Sequence, residues 1–215
     1  MGPEKPSRRE RERQKRLKLI LDKAEELFLE KGFAATTMDD IGKAAEFGRA
    51  TLYHYFPSKE AIYVAALERA MDSMVDKVRT TTGRARSATR KIEKLKDAIV
   101  SFVQQKKNVF HLYFVTRFEV LPYLDEKLAK QLSSTVTKLD AIFHNIYEQG
   151  VESGELQPGD PMSMGDIFFS QLIGLMLLKS TELLEPPLSS LANTATEFFI
   201  ANIKAEKGSR DKGKK

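Results

Sequence analysis

Apolar side chains recur three and four positions apart along almost the whole of this chain, and that spacing dictates helices. The first run is Leu17, Ile20, Leu21, Ala24, Leu27 and Phe28, and a later one is Leu128, Leu132, Val136, Leu139, Ile142, Phe143 and Ile146. No alternating stretch is long enough to read as a strand, and no sequence repeat appears. The fold class is therefore all-α.

The punctuation between the runs divides them into elements. Gly32 stops the first helix. Thr36 and Thr37 each stand three residues before an aspartate, Asp39 and Asp40, which forms a capping box with Asp in the Glu position and opens a short helix over about 38–45. Glu46-Phe47-Gly48 interrupts the pattern, and a third helix from Arg49 to about Phe56 ends against Pro57. Ser58 caps a longer helix carrying Ile62, Ala66, Ala70 and Met74 inward. The polar stretch 80–91 reads as a loop. Beyond it the helical period resumes at 92–103 and 109–120, then over about 125–152, 166–183 and 188–204, with Pro122, Ser153-Gly154, Pro158 to Pro161 and Pro186-Pro187 as breaks. Two short helices joined by a turn of three or four residues make a helix-turn-helix, the arrangement that presents a reading helix to DNA.

Composition narrows the function. Among 215 residues, 35 Lys and Arg stand against 30 Asp and Glu, a formal net charge of +5, with three His and no Cys. The absence of Cys removes disulfides, Cys-ligated zinc, iron-sulfur clusters and thiol nucleophiles, and fits a cytoplasmic protein. No HExxH, P-loop, GxGxxG or nucleophile elbow is present, so neither a catalytic nor a metal site is expected. Asp39 and Asp40 are adjacent at a helix start and serve as cap and dipole partners. The longest apolar run, 167–178, is broken by Ser170 and Gln171 and falls short of the roughly 20 residues of a membrane span. Residues 1–18 carry +5 (eight basic, three acidic) and 204–215 carry +4 (six basic, two acidic), which leaves 19–203 at −4. The excess positive charge is two basic tails on an acidic body.

Phe28-x-x-x-Gly32-Phe33, then Thr36-Thr37-Met38-x-Asp40-Ile41, then Thr51-Leu52-Tyr53-His54-Tyr55-Phe56-Pro57-Ser58-Lys59-Glu60 resembles the N-terminal domain of TetR-type transcriptional regulators over about residues 17–65. The resemblance implies a three-helix DNA-binding head followed by a helical domain that dimerises and often encloses a small-molecule pocket. It implies a third helix in the major groove, with Arg49, Ala50, Thr51, Tyr53, His54 and Tyr55 as the matching residues. Arg49 suits guanine, whose O6 and N7 a guanidinium takes together. Tyr53 and Tyr55 have hydroxyls suited to phosphate, and Thr37 and Lys59 stand at helix starts where phosphates dock. Leu52 and Phe56 read as core. The family's turn usually reads Ala-Gly-Val-Ser before Lys-Gly; here Ala45-Glu46-Phe47-Gly48-Arg49-Ala50 replaces it. If the turn requires positive φ at Glu46, a non-glycine residue there pays strain.

The division expected is a flexible basic arm over 1–16, the DNA-binding head over 17–60, a regulatory and dimerisation domain over 61–204, and a disordered basic tail over 205–215. The arm reads either as a contact to phosphates or the minor groove, or as a solvated tail. Phe102, Phe110, Tyr113, Phe114, Phe118 and Phe168, with the polar Arg117, His144 and Gln171 among them, are the candidate effector-binding residues. The same aromatic stripe also reads as plain core. Ile173, Gly174, Leu177 and Phe198 are candidate dimer contacts, since the segment after Asp166 is apolar nearly all round. The expected protein is a ligand-responsive repressor that binds double-stranded DNA as a homodimer, takes no cofactor beyond an apolar or amphipathic effector, and does not engage a membrane. The alternative is an architectural DNA-binding protein that uses the same head without an effector.

Overall fold

The computed structural model describes residues 7–106 and 116–205. Among them the elements are α1 (Arg8–Lys31), α2 (Met38–Ala44), α3 (Arg49–Tyr55), α4 (Lys59–Thr82), α5 (Ala88–Gln105), α6 (Thr116–Val120), α7 (Glu126–Glu152), α8 (Pro161–Ser180) and α9 (Leu188–Ile203), with a 3-10 turn at Leu121–Tyr123. The only extended pairing among the described residues is one antiparallel bridge between Leu156 and Lys204.

Three boundaries differ from the sequence expectation. The stretch 80–91, expected as a loop, is helical except for 83–87: the Thr80, Thr81 and Thr82 hydroxyls donate back to the carbonyls of Asp76, Lys77 and Val78 and carry α4 to Thr82, and α5 starts at Ala88. Residues 8–16, expected as a flexible arm, form the first turns of α1: the Ser7 hydroxyl accepts the Glu10 amide at 3.2 Å, and the helix runs unbroken to the Gly32 cap. Arg, Glu, Gln and Lys are good helix formers, so these turns need no apolar face to be helical. Helix α8 starts at Pro161 rather than Asp166, because Asp160 caps it by accepting the Ser163 amide and Pro161 stands at the first turn, where its missing N–H costs nothing.

The described residues of Met1–Met71 and Lys106–Thr135 form one compact unit, and those of Asp72–Gln105 and Val136–Lys215 form another. This division departs from a boundary at residue 60, since α4 and α7 each contribute to both units.

The N-terminal unit is built on Ile20, Ala24, Phe28, Phe33, Ile41, Leu52, Ile62 and Tyr63, all buried. Phe28, Phe33 and Tyr63 pack as a triad with centroids 5.3, 5.5 and 6.1 Å apart. Thr36 is buried among them, and its hydroxyl donates to the Gly32 carbonyl at 2.7 Å. Polar ties hold α1 to its neighbours: Lys31 pairs with Asp40 of α2 at 2.7 Å, and Arg69 of α4 pairs with Asp22 at 2.7 Å and with Glu25.

In the C-terminal unit α9 packs against α5 and α8. Phe143, Phe168, Phe169 and Phe199 form its aromatic centre, with Phe168 5.2 Å from Phe143 and 5.3 Å from Phe199. Gly150 lets α7 approach α5 closely, since a Cβ there would stand 2.7 Å from the Ala88 Cβ and 2.5 Å from Leu156 Cδ1. The N-terminus of α5 is capped from a distance: Glu155 accepts the Ala88 amide at 2.6 Å, the Thr89 amide at 2.9 Å and the Thr89 hydroxyl. Burial pushes the Glu155 carboxyl up, but these hydrogen bonds outweigh it and hold the group below its ordinary range.

Candidate nucleic-acid interface

The geometry of the head is set by how α2 ends and α3 begins. Thr37 caps α2, accepting the Asp40 amide at 3.1 Å, while the Asp40 carboxylate accepts the Thr37 amide at 2.9 Å and the Thr37 hydroxyl at 2.6 Å. Hydrogen bonds from Lys31 and from Thr37 hold the Asp40 carboxyl well below the usual carboxylate range.

At the other end the chain turns sharply. The Phe47 amide donates to the Gly42 carbonyl at 2.8 Å and the Glu46 amide to Lys43 at 3.2 Å, the two bonds of a Schellman turn. That turn requires a left-handed residue, and Glu46 supplies it at φ 60°. The strain expected of a non-glycine residue in this turn is therefore present, about 1–2 kcal/mol. Gly42 lies beneath the turn, where a Cβ would stand 3.0 Å from the Phe47 carbonyl. Gly48 then starts α3 in an extended conformation without a side-chain cap.

On α3 the four-residue spacing separates the faces. Leu52 and Phe56 are buried and anchor the helix, as expected. Arg49, Ala50, Tyr53 and His54 are exposed, and Thr51 and Tyr55 are half-buried. Arg49 lies 5.7 Å above the Tyr53 ring and 3.7 Å from Asp39 of α2. Both members of the ion pair are more than half exposed, so it holds by at most about 1 kcal/mol and yields readily to a stronger anion.

Helix α1 supplies what α3 lacks. Arg9, Glu12, Arg13 and Arg16 line one concavity of about 550 Å³ together with Ala50, Thr51, His54 and Tyr55. Residues 9, 13 and 16 share one face of a helix, so three guanidinium groups reach the groove where the reading helix offers only His54 as a basic side chain. Their four-and-three spacing was the available signal, hidden within a run of mixed charge that carried no apolar period.

Thr37 and Lys59 are brought to the same head with their polar groups already engaged. The anion at the α2 N-terminus is the Asp40 carboxylate. Lys59 donates to the Phe33 carbonyl at 2.7 Å and lies 4.2 Å above the Phe33 ring, and burial lowers its pKa.

The effector and dimer candidates are elsewhere. Phe102 and Phe168 are buried, and His144 and Gln171 are half-buried. Phe110, Tyr113 and Phe114, and the side chains of Arg117 and Phe118, lie outside the described residues. His144 borders the α7–α8 contact, where a Cβ on Gly165 would stand 3.2 Å from its Nε2. Ile173, Leu177 and Phe198 are 37, 43 and 68% exposed, and Gly174 between the first two is half-exposed. Among the described residues no group of acidic and His side chains is placed to hold a metal.

Residues 20–66 match the family described as bacterial regulatory proteins, tetR family. The HTH-type transcriptional activator FasR of Mycolicibacterium smegmatis is 27% identical over 136 residues, 62% of this chain and 60% of that protein. The biofilm operon icaADBC HTH-type negative transcriptional regulator IcaR of Staphylococcus epidermidis is 40% identical over 57 residues, 26% of this chain and 31% of that protein. The chain thus matches less than two thirds of the length of these two relatives. Among solved structures, the transcriptional regulator FadR from Bacillus subtilis in complex with stearoyl-CoA superposes with a TM-score of 0.76 at 20% identity, over 86% of this chain and 98% of that one. The fatty acid degradation regulator FadR from Bacillus halodurans does so with 0.75 at 18% identity, over 92% and 97%.

Proposed function

Given that residues 20–66 match the tetR family of bacterial regulatory proteins, we propose that the chain is a regulator of this kind, that it represses transcription by binding a pseudo-palindromic operator as a homodimer, and that an apolar or amphipathic small molecule releases it. The observation that carries the reading is the shared groove of α1 and α3. Phosphate contacts give affinity and position, base edges give sequence. Arg9, Arg13 and Arg16 are the phosphate ligands, with Tyr55 beside them and Tyr53 next to Arg49. Arg49 leaves Asp39 to take a guanine edge, and Ala50, Thr51 and His54 complete the contacting surface. Thr37 and Lys59 hold the start of α2 and the 33–34 link in place and meet phosphate from their exposed sides.

Dimerisation is supported by the two sides of α8. Phe168, Leu172 and Met176 are buried in one stripe, while Ile173, Leu177 and Leu178 stand exposed. By length and composition alone α8 is apolar enough to cross a membrane. A second copy seated on Ile173, Gly174, Leu177 and Phe198 of α9 accounts for the exposed side without one, and the protein acts in the cytoplasm. Two heads about 34–36 Å apart then read successive turns of one duplex face. The stearoyl-CoA found in the FadR structure supports an amphipathic effector here. Such a molecule shifts the protein only by its differential affinity for the DNA-competent and released states.

The test is an electrophoretic mobility shift with the promoter region beside the chain's own gene. A sequence-selective shift that weakens in Arg49→Ala and Tyr53→Ala is expected. No shift with any neighbouring promoter, or a shift indifferent to both substitutions, rejects the assignment.

A further inference from the structure

A second concavity lies wholly within the C-terminal unit, and the DNA-binding reading leaves it unused. Its volume is about 370 Å³, and it forms where the last turn of α4 meets the first turn of α5 and the middle of α7. Arg79, Lys91 and Lys138 contribute cations to its lining, Asn145 and Gln149 contribute amides, and no acidic side chain takes part.

The charge is largely uncompensated. Lys138 pairs with Asp72 at 2.6 Å, but among the described residues no carboxylate pairs with Arg79 or Lys91. Lys91 donates instead to Gln149 Oε1 at 2.7 Å, which leaves two of its three protons for another acceptor. The adjoining chain has the same bias: residues 79–91 hold Arg79, Arg84, Arg86, Arg90 and Lys91 and no acid, within a body that is acidic overall. Arg79 stands in the last turn of α4, where its charge offsets the negative end of the helix dipole.

We propose that this groove binds a small phosphate-bearing molecule, with Arg79 and Lys91 as its anion ligands and Asn145 and Gln149 hydrogen-bonding beside them. The charge arithmetic selects phosphate over carboxylate. After Asp72 takes one of the three cations, two remain, which a phosphate monoester of roughly −1.5 to −2 matches and a single carboxylate does not. A planar guanidinium beside an ammonium is the donor pair that phosphate oxygens use. The volume of about 370 Å³ falls near the lower end of small-molecule pockets, about 300–1,000 Å³, so a small metabolite fits.

The experiment is isothermal titration of the full chain with inorganic pyrophosphate. Because the α1–α3 groove also carries arginines, Arg9→Ala/Arg13→Ala is run beside Arg79→Ala/Lys91→Ala, with Arg79→Gln/Lys91→Gln as a second pair and thermal melts to verify folding. The site at α4 to α7 should weaken by about tenfold or more in both Arg79/Lys91 pairs, as expected for lost charge-assisted hydrogen bonds, and persist in the Arg9/Arg13 pair. Pyrophosphate binding that is unchanged in the Arg79/Lys91 pairs, or that vanishes with Arg9 and Arg13, overturns the proposal. So does a loss of duplex binding in the Arg79/Lys91 pairs with pyrophosphate unaffected, which would make this corner a second DNA contact.

Discussion

The groove between α1 and α3 makes a prediction that separates a specific face from mere positive charge. Arg9, Arg13 and Arg16 line it, whereas Arg8, Arg11 and Lys15 lie about half a helical turn away and do not. Each triple carries the same charge. If each groove arginine meets one phosphate, removing the three lowers the slope of log affinity against log salt by about 0.9 for each, or roughly 2.7 per head. Between 50 and 200 mM salt, a fourfold change, that slope corresponds to a difference of about 40-fold in salt sensitivity for each head bound. Fluorescence anisotropy of a labelled promoter fragment, titrated at several salt concentrations, measures it directly. Arg9→Gln/Arg13→Gln/Arg16→Gln should flatten the dependence by that amount, and Arg8→Gln/Arg11→Gln/Lys15→Gln should leave most of it, since glutamine preserves helix propensity. Equal slopes for the two triples would show that the arm acts through its charge alone and that the ordered face has no role.

Four further outcomes follow from local geometry. Glu46→Gly relieves the left-handed φ of 60° and should stabilise the chain by about 1 kcal/mol, raising Tm by roughly 2–4 °C in a melt. Gly150→Ala places a Cβ 2.5 Å from Leu156 Cδ1 and should cost about 1–3 kcal/mol by denaturant titration. Glu155→Gln weakens the cap of α5 and should cost on the order of 1 kcal/mol at neutral pH; because the folded carboxyl lies below its ordinary 4.5, wild type holds this contribution above that pH and loses it as pH falls further, so the two melting curves converge in acid. Leu177→Lys with Phe198→Glu should shift sedimentation from dimer to monomer without lowering the helical signal, and an unchanged dimer would remove these residues from the interface.

How far the sequence carried differs between the two halves for a physical reason. In the head, each boundary rests on a residue with a local mechanism: Gly32 takes φ 83°, Thr37 and Asp40 close a capping box, and Pro57 follows the end of α3. Local chemistry is written in local sequence, so Met38–Ala44 and Arg49–Tyr55 fell within a residue of their expected ends. The first turns of α1 were not legible because they bury nothing, and a period of apolar residues cannot mark a helix without an apolar face. Lys59 was legible as a cation at a helix start but not as a donor to the Phe33 carbonyl 26 residues away, because that partner is a backbone atom with no residue signature. The same limit explains Glu155, which caps α5 from across the unit.

In the C-terminal half the difficulty is one of degeneracy. Phe168 has the same sequence signature whether it lines a pocket or fills a core, and only its neighbours Phe143, Phe169 and Phe199 distinguish the two. Ile173 and Leu177 are as apolar as Leu172 and Met176, one residue earlier in each case, yet the first pair is exposed and the second buried. Exposure of that kind on a helix apolar all round is itself informative, because Ile173 and Leu177, 37 and 43% exposed, forgo part of the ~1.5–3 kcal/mol that full burial contributes. Ile173, Leu177 and Leu178 of α8 and Phe198 of α9 are left exposed in this way in the single chain. The homodimer proposed above covers that side by the same burial argument that builds the core.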